Sequence, residues 1–341
     1  MTDLRELTTL RLGGPADQFF RVTTEQELLD VECGEDDLGD WVLLIAGGSN
    51  LVVADEGFRG AAIKIDTRGI EVEREVCAGA CVTVAAGESW DDFVALAVDS
   101  GWTGIEALAG IPGSVGATPI QNVGAYGQEV SEVVARVRCW DRGDLAIKTF
   151  SAAECGFGYR TSRFKAEPQR YVVLNVMFQF KEGTLSAPIR YTELARTLGV
   201  ELGARVPMGD VRAAVLDLRR AKGMVLDATD HDTWSAGSFF TNPFVAAAPE
   251  GAPAYPQPDG TVKTSAAWLI EQAGFGKGYG NDRVGLSTKH TLALTNRGSG
   301  TTRDLLALAE EIQRGVHASY GIWLVNEPVL VGCTLPDPPL A

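Results

Sequence analysis

Apolar residues fall at helical spacing in some stretches of this chain and in short runs or strict alternation in others, which predicts an α/β-type opening. Residues 24–32, TEQELLDVE, read as a short helix, followed by the apolar run WVLLI (41–45) and the turn AGGSN (46–50). The runs AAIKI (61–65) and CVTVAA (81–86) read as strands, and SWDDFVALAVDSG (89–101) as a helix capped by Ser89 and stopped by Gly101. RYVVLNVMFQF (170–180) alternates well enough for a strand with one buried face, and KEGTLSAP then breaks the pattern into a connection. Asp210 is placed to cap a helix whose Val211, Val215 and Leu218 share one face and which ends near Gly223, where a domain boundary is expected. Beyond it come the turn YPQPDG (255–260), a helix at TSAAWLIEQAG (264–274) and a longer helix with Leu305, Ala309, Ile312 and Val316 on one stripe. IWLV and PVLVG read as final strands, the tail PDPPLA as a frayed end, and no internal repeat is visible.

A chain of 341 residues exceeds the usual size of one hydrophobic core, so two or three domains are expected. With 45% hydrophobic and 22% charged residues the composition is that of an ordinary soluble protein. The longest strongly apolar stretch, Trp41 to Ala46, is far short of the roughly 20 residues that cross a bilayer, so no membrane span is expected. The start, MTDLRELTTLRL, lacks the basic-then-apolar layout of a secretory signal, and a cytoplasmic protein is the expectation. A net charge of −15 repels nucleic acid and anionic lipid in bulk, so any anionic ligand must be held locally.

The six cysteines are scattered, and even Cys77 and Cys81 are one residue too far apart for a C-x-x-C pair; reduced, mostly buried thiols are the reading. None of the three histidines is spaced as a metal pair, so no metal site is expected.

No G-x-G-x-x-G opens a helix after a strand, GFGKGYG (274–280) has the wrong spacing, and no P-loop occurs. AGGSN directly follows an apolar strand, and its N–H groups at Gly47 and Gly48 could close on phosphate oxygens; taken alone, a tight turn is the plainer reading. GIPGSVGATPIQNVGAYGQE (110–129) is richer. Its glycines at 110, 113, 116, 124 and 127 stand among Ser114, Thr118, Gln121 and Asn122, which favours ligand contact over a plain surface loop.

Together these two segments resemble the FAD-binding module of the vanillyl-alcohol-oxidase (PCMH) type, in which two small α/β subdomains hold an extended flavin without a Rossmann motif. TTLRLGGPAD (8–17), AGGSNLVVADEGFRG (46–60), GIPGSVGATPIQNVGAYG (110–127), CGFGYRTSRFK (155–165), GSFFTNP (237–243) and NEPVLVG (326–332) occur in the order found in UDP-N-acetylenolpyruvoylglucosamine reductases. By that resemblance the chain is identified as a type I member of the family. The sequence departs from the pattern at Ala46, where many relatives have glycine, at Thr241, where some have lysine, and at VNEP, which replaces LEPE; Glu327 nevertheless stays three residues after Leu324.

The resemblance implies an α+β fold with α/β-type subdomains: a first FAD-binding subdomain at 1–66, to which 329–341 returns, a second at 67–220 with a substrate-closing tyrosine loop near 185–195, and a substrate-binding domain at 221–328. It implies tight, non-covalent FAD held by Gly47, Gly48, Ser49, Asn50, Gly113, Ser114, Gly116, Thr118, Asn122, Gly124, Ala125 and Tyr126. Bulk at Gly48 or Gly113 is then expected to cost the flavin more than the fold. NADPH is the implied hydride donor, and the implied substrate is the enolpyruvyl ether of UDP-N-acetylglucosamine, contacted by Tyr191, Lys222 and Asn242. On their own these three read as a packed tyrosine, a solvated lysine at a helix end and an asparagine shaping a turn. A monomer is expected.

The reaction so implied adds hydride to the terminal carbon of the enolpyruvyl group and a proton to the carbon bearing ether oxygen and carboxylate, so negative charge builds on that carboxylate. Arg160 supplies a permanently charged planar fork suited to it. Glu327 fits only as a neutral, hydrogen-bond-donating carboxyl, and Ser238 is the implied proton donor. Without the resemblance, Glu327 is a carboxylate at a strand end and Ser238 caps a turn after Gly237. Arg160, Lys222, Lys263 and Arg283 are candidates for a local positive lining. A flavin-linked oxidase or dehydrogenase of a hydroxy acid or alcohol, in the same superfamily, is the alternative reading.

Overall fold

The computed structural model describes residues 2–34, 38, 41–75 and 79–339, without the side chains of 74 and 75. Cys77 and the last two residues of the tail lie outside the described residues. The packing divides the chain into two compact units: one made of 18–47 and 60–220, the other of 1–17, 48–59 and 221–341.

The unit of 18–47 and 60–220 is built on an antiparallel sheet in the order Ala146–Ser151, Val134–Asp141, Tyr171–Glu182, Gly79–Ala85, Ile70–Glu75. Its central strand is longer than the alternation predicts, twelve residues from Tyr171 to Glu182, and only its second half alternates in burial. The first four residues are buried on both faces, and the aromatic rings of Phe150 and Phe164 pack on Tyr171, at 5.3 and 5.8 Å between ring centres. The helix Trp90–Asp99, capped by the Ser89 hydroxyl as expected, buries Trp90, Phe93, Val94 and Ala97. Phe93 lies 5.0 Å from Phe178, and Trp102 stacks on Phe180 at 5.9 Å, so one aromatic cluster joins helix and sheet. A parallel pair, Val42–Ile45 beside Phe58–Ile65, with Ala16–Val22 on the far side of the latter, forms a smaller sheet.

The other unit centres on the helix Thr302–Tyr320, whose Leu305, Ala309, Ile312 and Val316 are fully buried. Thr301 and Asp304 form a reciprocal capping box at its start. Phe239, Phe240, Leu269, Leu286, Leu294 and Leu324 pack around that stripe, together with Leu10 and Val52. The strands Leu51–Val53 and Val329–Val331 run parallel, with Val52 opposite Leu330.

Two local expectations are corrected. The helix expected to be capped by Asp210 begins at Met208, and the Pro207 carbonyl accepts from the Asp210 and Val211 N–H groups; Asp210 lies in the first turn, where the helix dipole still favours it. IWLV (322–325) forms no strand: the Leu324 carbonyl accepts from the Gln313 side chain (2.8 Å) on the neighbouring helix, and backbone pairing starts only at its last residue, Val325, whose carbonyl accepts the Thr241 N–H.

Candidate active site

The two glycine-rich segments, more than sixty positions apart, meet in the structure. A Cβ on Gly47 would lie 2.4 Å from the Gly113 Cα, so the backbones pass at a separation that admits no side chain. At Gly48, with φ of +62°, a Cβ would lie 1.7 Å from the Leu7 carbonyl oxygen. These glycines are therefore demanded first by the protein's own packing. That overturns the expectation that bulk at Gly48 would cost the flavin more than the fold.

The Ser114 Oγ is buried and has no hydrogen-bond partner within the protein. An unsatisfied buried hydroxyl costs roughly 1–3 kcal/mol, and a polar ligand oxygen or nitrogen beside it would remove that cost. A dinucleotide cofactor thus fits this turn. Thr118 and Asn122, also expected to hold cofactor, are engaged within the unit: Thr118 Oγ1 donates to the Val115 carbonyl at 2.8 Å. The Asn122 amide donates to Glu129 and to the Gly158 carbonyl at 2.8 and 3.1 Å, and its oxygen accepts from the Ser131 N–H at 3.1 Å.

Those Asn122 bonds fasten the glycine-rich loop to the segment carrying Arg160. The Arg160 guanidinium returns the connection, donating to the Gly124 carbonyl at 2.8 Å and the Asn122 carbonyl at 3.5 Å. Asn122, Tyr126 and Arg160 all have left-handed backbones, with φ of +48°, +49° and +52°. Such a conformation costs a non-glycine residue on the order of 1 kcal/mol and persists only where surrounding bonds enforce it. Nearby, the Tyr126 and Tyr191 rings meet edge to face at 5.5 Å, and Tyr191 is otherwise exposed. Burial lowers the pKa of Arg219, against the influence of Tyr126 and Asp91. Burial pushes the Cys155 thiol up to about 12, which makes it a packing residue and not a nucleophile. All five described cysteines are free, and only Cys139 and Cys155 are fully buried.

In the other unit, the Gly237-to-Thr241 segment and the segment around Glu327 form a short antiparallel ladder. The Glu327 N–H donates to the Phe239 carbonyl (2.8 Å), Phe240 bridges Asn326, and the Thr241 N–H donates to the Val325 carbonyl (3.0 Å). Ser238 and Glu327 thus occupy adjoining rungs, and both are half-buried. Phe239 and Phe240, each 1% exposed, drive this segment into the core and leave its register no freedom. The Asn242 side-chain oxygen accepts the Ala266 N–H (2.9 Å) at the start of the helix Ala266–Gln272, which fixes the amide's orientation. Lys222, just past the end of the helix Met208–Ala221, is half-buried. Arg283 is a correction to the expected positive lining: it pairs with Asp304 at 2.6 Å, at the start of the long helix. Among the described residues no cluster of His, Cys, Asp or Glu could hold a metal, and no helix is long and apolar enough to cross a membrane.

Glycine turns without a Rossmann spacing, one of which leaves the buried Ser114 hydroxyl to be satisfied, suit a protein that holds an extended cofactor, and the family match places that cofactor as a flavin. Residues 16–149 match the model of an FAD binding domain. Residues 228–331 match that of the UDP-N-acetylenolpyruvoylglucosamine reductase C-terminal domain. The reductase of Cutibacterium acnes is 57% identical over 97% of this chain and 90% of its own length, and that of Thermobifida fusca 56% identical over 97% of both. A crystal structure of the Thermus caldophilus enzyme superposes with a TM-score of 0.66 at 25% identity, covering 97% of each chain. The chain belongs to the UDP-N-acetylenolpyruvoylglucosamine reductase family.

Proposed function

We propose that the protein reduces the enolpyruvyl ether of UDP-N-acetylglucosamine to UDP-N-acetylmuramate at the expense of NADPH, a step in making peptidoglycan precursors. Relatives more than half identical over nearly the whole chain support the reaction. The Glu327 N–H bond to the Phe239 carbonyl is the observation that supports the site, because it brings the backbones carrying Ser238 and Glu327 side by side. When bound, FAD relays hydride from NADPH to the terminal carbon of the enolpyruvyl group. Residues 1–66 and 67–220 supply its binding, and 221–328 the nucleotide-sugar site.

Hydride addition would leave two developing negative oxygens on the substrate carboxylate, so the chain must offer fixed donors in advance. Arg160 is the donor for this task. The Asn122 and Gly124 carbonyls accept from its guanidinium and orient the fork. Glu327, as a neutral carboxyl, donates to the same anion. Ser238 delivers the proton to the carbon bearing the carboxylate: a hydroxyl is a weak acid, but the enolate-like carbon is a strong base and position compensates. Tyr191, Lys222 and Asn242 hold the UDP-sugar, with the Asn242 amide nitrogen presented because its oxygen is bound to the Ala266 N–H.

The test is to record the visible spectrum of the purified protein and follow NADPH absorbance with and without the enolpyruvyl ether. A yellow protein that consumes NADPH only with the ether is expected. A colourless protein that takes up no FAD overturns the proposal, as does rapid oxygen uptake with alcohols in place of NADPH turnover.

A further inference from the structure

Thr9 stands in the N-terminal segment and has no catalytic chemistry of its own, yet it joins two functional segments of its unit. Its N–H donates to the Gly48 carbonyl (3.2 Å), in the turn that follows the strand Val42–Ile45. Its hydroxyl donates to the Ser235 carbonyl at 2.6 Å, a buried bond across 226 positions of sequence. Ser235 passes the constraint on, because its own hydroxyl accepts the Gly237 N–H at 3.3 Å, one residue before Ser238. Thr9 and Ser235 are 6% and 5% exposed, so water does not compete for these bonds.

The flanking residues remove the remaining freedom. Arg11, with φ of +52°, lies 3.9 Å above the Trp234 ring, and the Asn296 amide holds the Leu10 and Arg11 carbonyls at 3.0 and 3.3 Å. The Asn296 N–H also donates to the Trp234 carbonyl at 3.0 Å. Core packing accounts for Leu10, but not for a threonine whose two polar groups reach the Gly48 turn in one direction and the approach to Ser238 in the other.

We propose that Thr9 is a positioning residue: through Ser235 and Gly237 it sets the height of Ser238 relative to the Gly48 turn. The inference rests on the proposed role of Ser238 as proton donor. A misplacement of about 1 Å at a reacting group can cost on the order of 100-fold in rate, so loss of one bond three residues away should be readable in turnover.

The experiment compares Thr9→Val, which keeps the shape and the N–H but removes the hydroxyl, with Thr9→Ser, which restores the donor, and with Ser235→Ala, which removes only the second bond. Each flavin-loaded protein is reduced with NADPH, and its reoxidation by the enolpyruvyl ether is followed by stopped flow. Thr9→Val is expected to slow reoxidation about tenfold or more while flavin reduction and substrate KM stay within about threefold of the parent. Thr9→Ser should recover most of the rate, and Ser235→Ala should fall between. Equal slowing of both half-reactions, or a lowered Tm with normal reoxidation, overturns the proposal. Should Thr9→Val fail to fold, Ser235→Ala decides, and normal reoxidation in it is equally fatal. A Ser238→Ala control separates the layers: if that variant is itself reoxidised normally, the proton-donor reading fails first; if it is slow while Thr9→Val and Ser235→Ala are normal, only the positioning role fails.

Discussion

Arg160 and Ser238, the charged donor and the proposed acid, are fixed in opposite ways. Arg160 is held from its side chain inwards: the guanidinium grips the Asn122 and Gly124 carbonyls, the Asn122 amide grips Gly158 in return, and three left-handed backbones are kept in place by that exchange. Ser238 is held from its backbone outwards, by the ladder between Phe239 and Glu327 and by the Ser235 hydroxyl on Gly237, with its own side chain left to be presented. Changing the Arg160 side chain removes the proposed substrate donor and a structural clamp together. Changing the Ser238 side chain leaves its local scaffold standing, so the second site is the cleaner place to separate chemistry from folding.

The largest expected effect breaks the comparison at its catalytic end. Ser238→Ala should bind FAD, accept hydride from NADPH and bind the UDP-sugar, but lose roughly 10²–10⁴-fold in reoxidation of the reduced flavin by substrate. Near-normal reoxidation would move the proton to another donor.

Next in size is a fold effect at the turn that Thr9 grips. Gly48→Ala puts a methyl 1.7 Å from the Leu7 carbonyl at a left-handed backbone, and should destabilise the protein by about 2–4 kcal/mol in thermal or urea unfolding. A variant with unchanged stability but no flavin would instead restore cofactor contact as the reason for that glycine.

Arg160→Lys keeps the charge, loses the fork and loosens the grip on Gly124. Turnover should fall about 10–100-fold, with a smaller fall in Tm. Reduction of flavin by NADPH should stay near normal; equal damage to both half-reactions would make the residue purely structural.

The smallest effect is the reference for Gly48. A Cβ on Gly276, in the other glycine-rich stretch, meets nothing within 4 Å, so Gly276→Ala should be neutral or stabilise by up to about 1 kcal/mol with kinetics unchanged. A large loss there would mean that the glycine stretches cannot be told apart by the space around them.

The helix at 90–99 was legible from its Ser89 cap and apolar stripe, and that at 302–320 from its stripe alone, local signals that need no partner. The start of the helix Met208–Ala221 was misread because Asp210 is an equally good first-turn residue as a cap, and only the bonds to the Pro207 carbonyl distinguish the two. IWLV was misread for a related reason: apolar composition permits a strand, but whether its carbonyls meet a neighbouring strand or Gln313 depends on what lies alongside.

Sequence by itself determined the chemical inventory of this protein. Two glycine-rich segments without a Rossmann spacing, an arginine, a serine and a glutamate in fixed order are properties of the chain that no fold can alter. Tertiary structure alone decided which of those groups have unmet bonds. It closed Gly47 on Gly113 and Gly48 on Leu7, turned the Asn122 amide and the Thr118 hydroxyl inward and left the Ser114 hydroxyl without a protein partner. It also gave Thr9, which carries no local signal, two bonds to places 39 and 226 positions away. The physical reason is that a polar group's partner is chosen by burial and proximity after the chain has packed, whereas periodicity and caps act between neighbours in sequence.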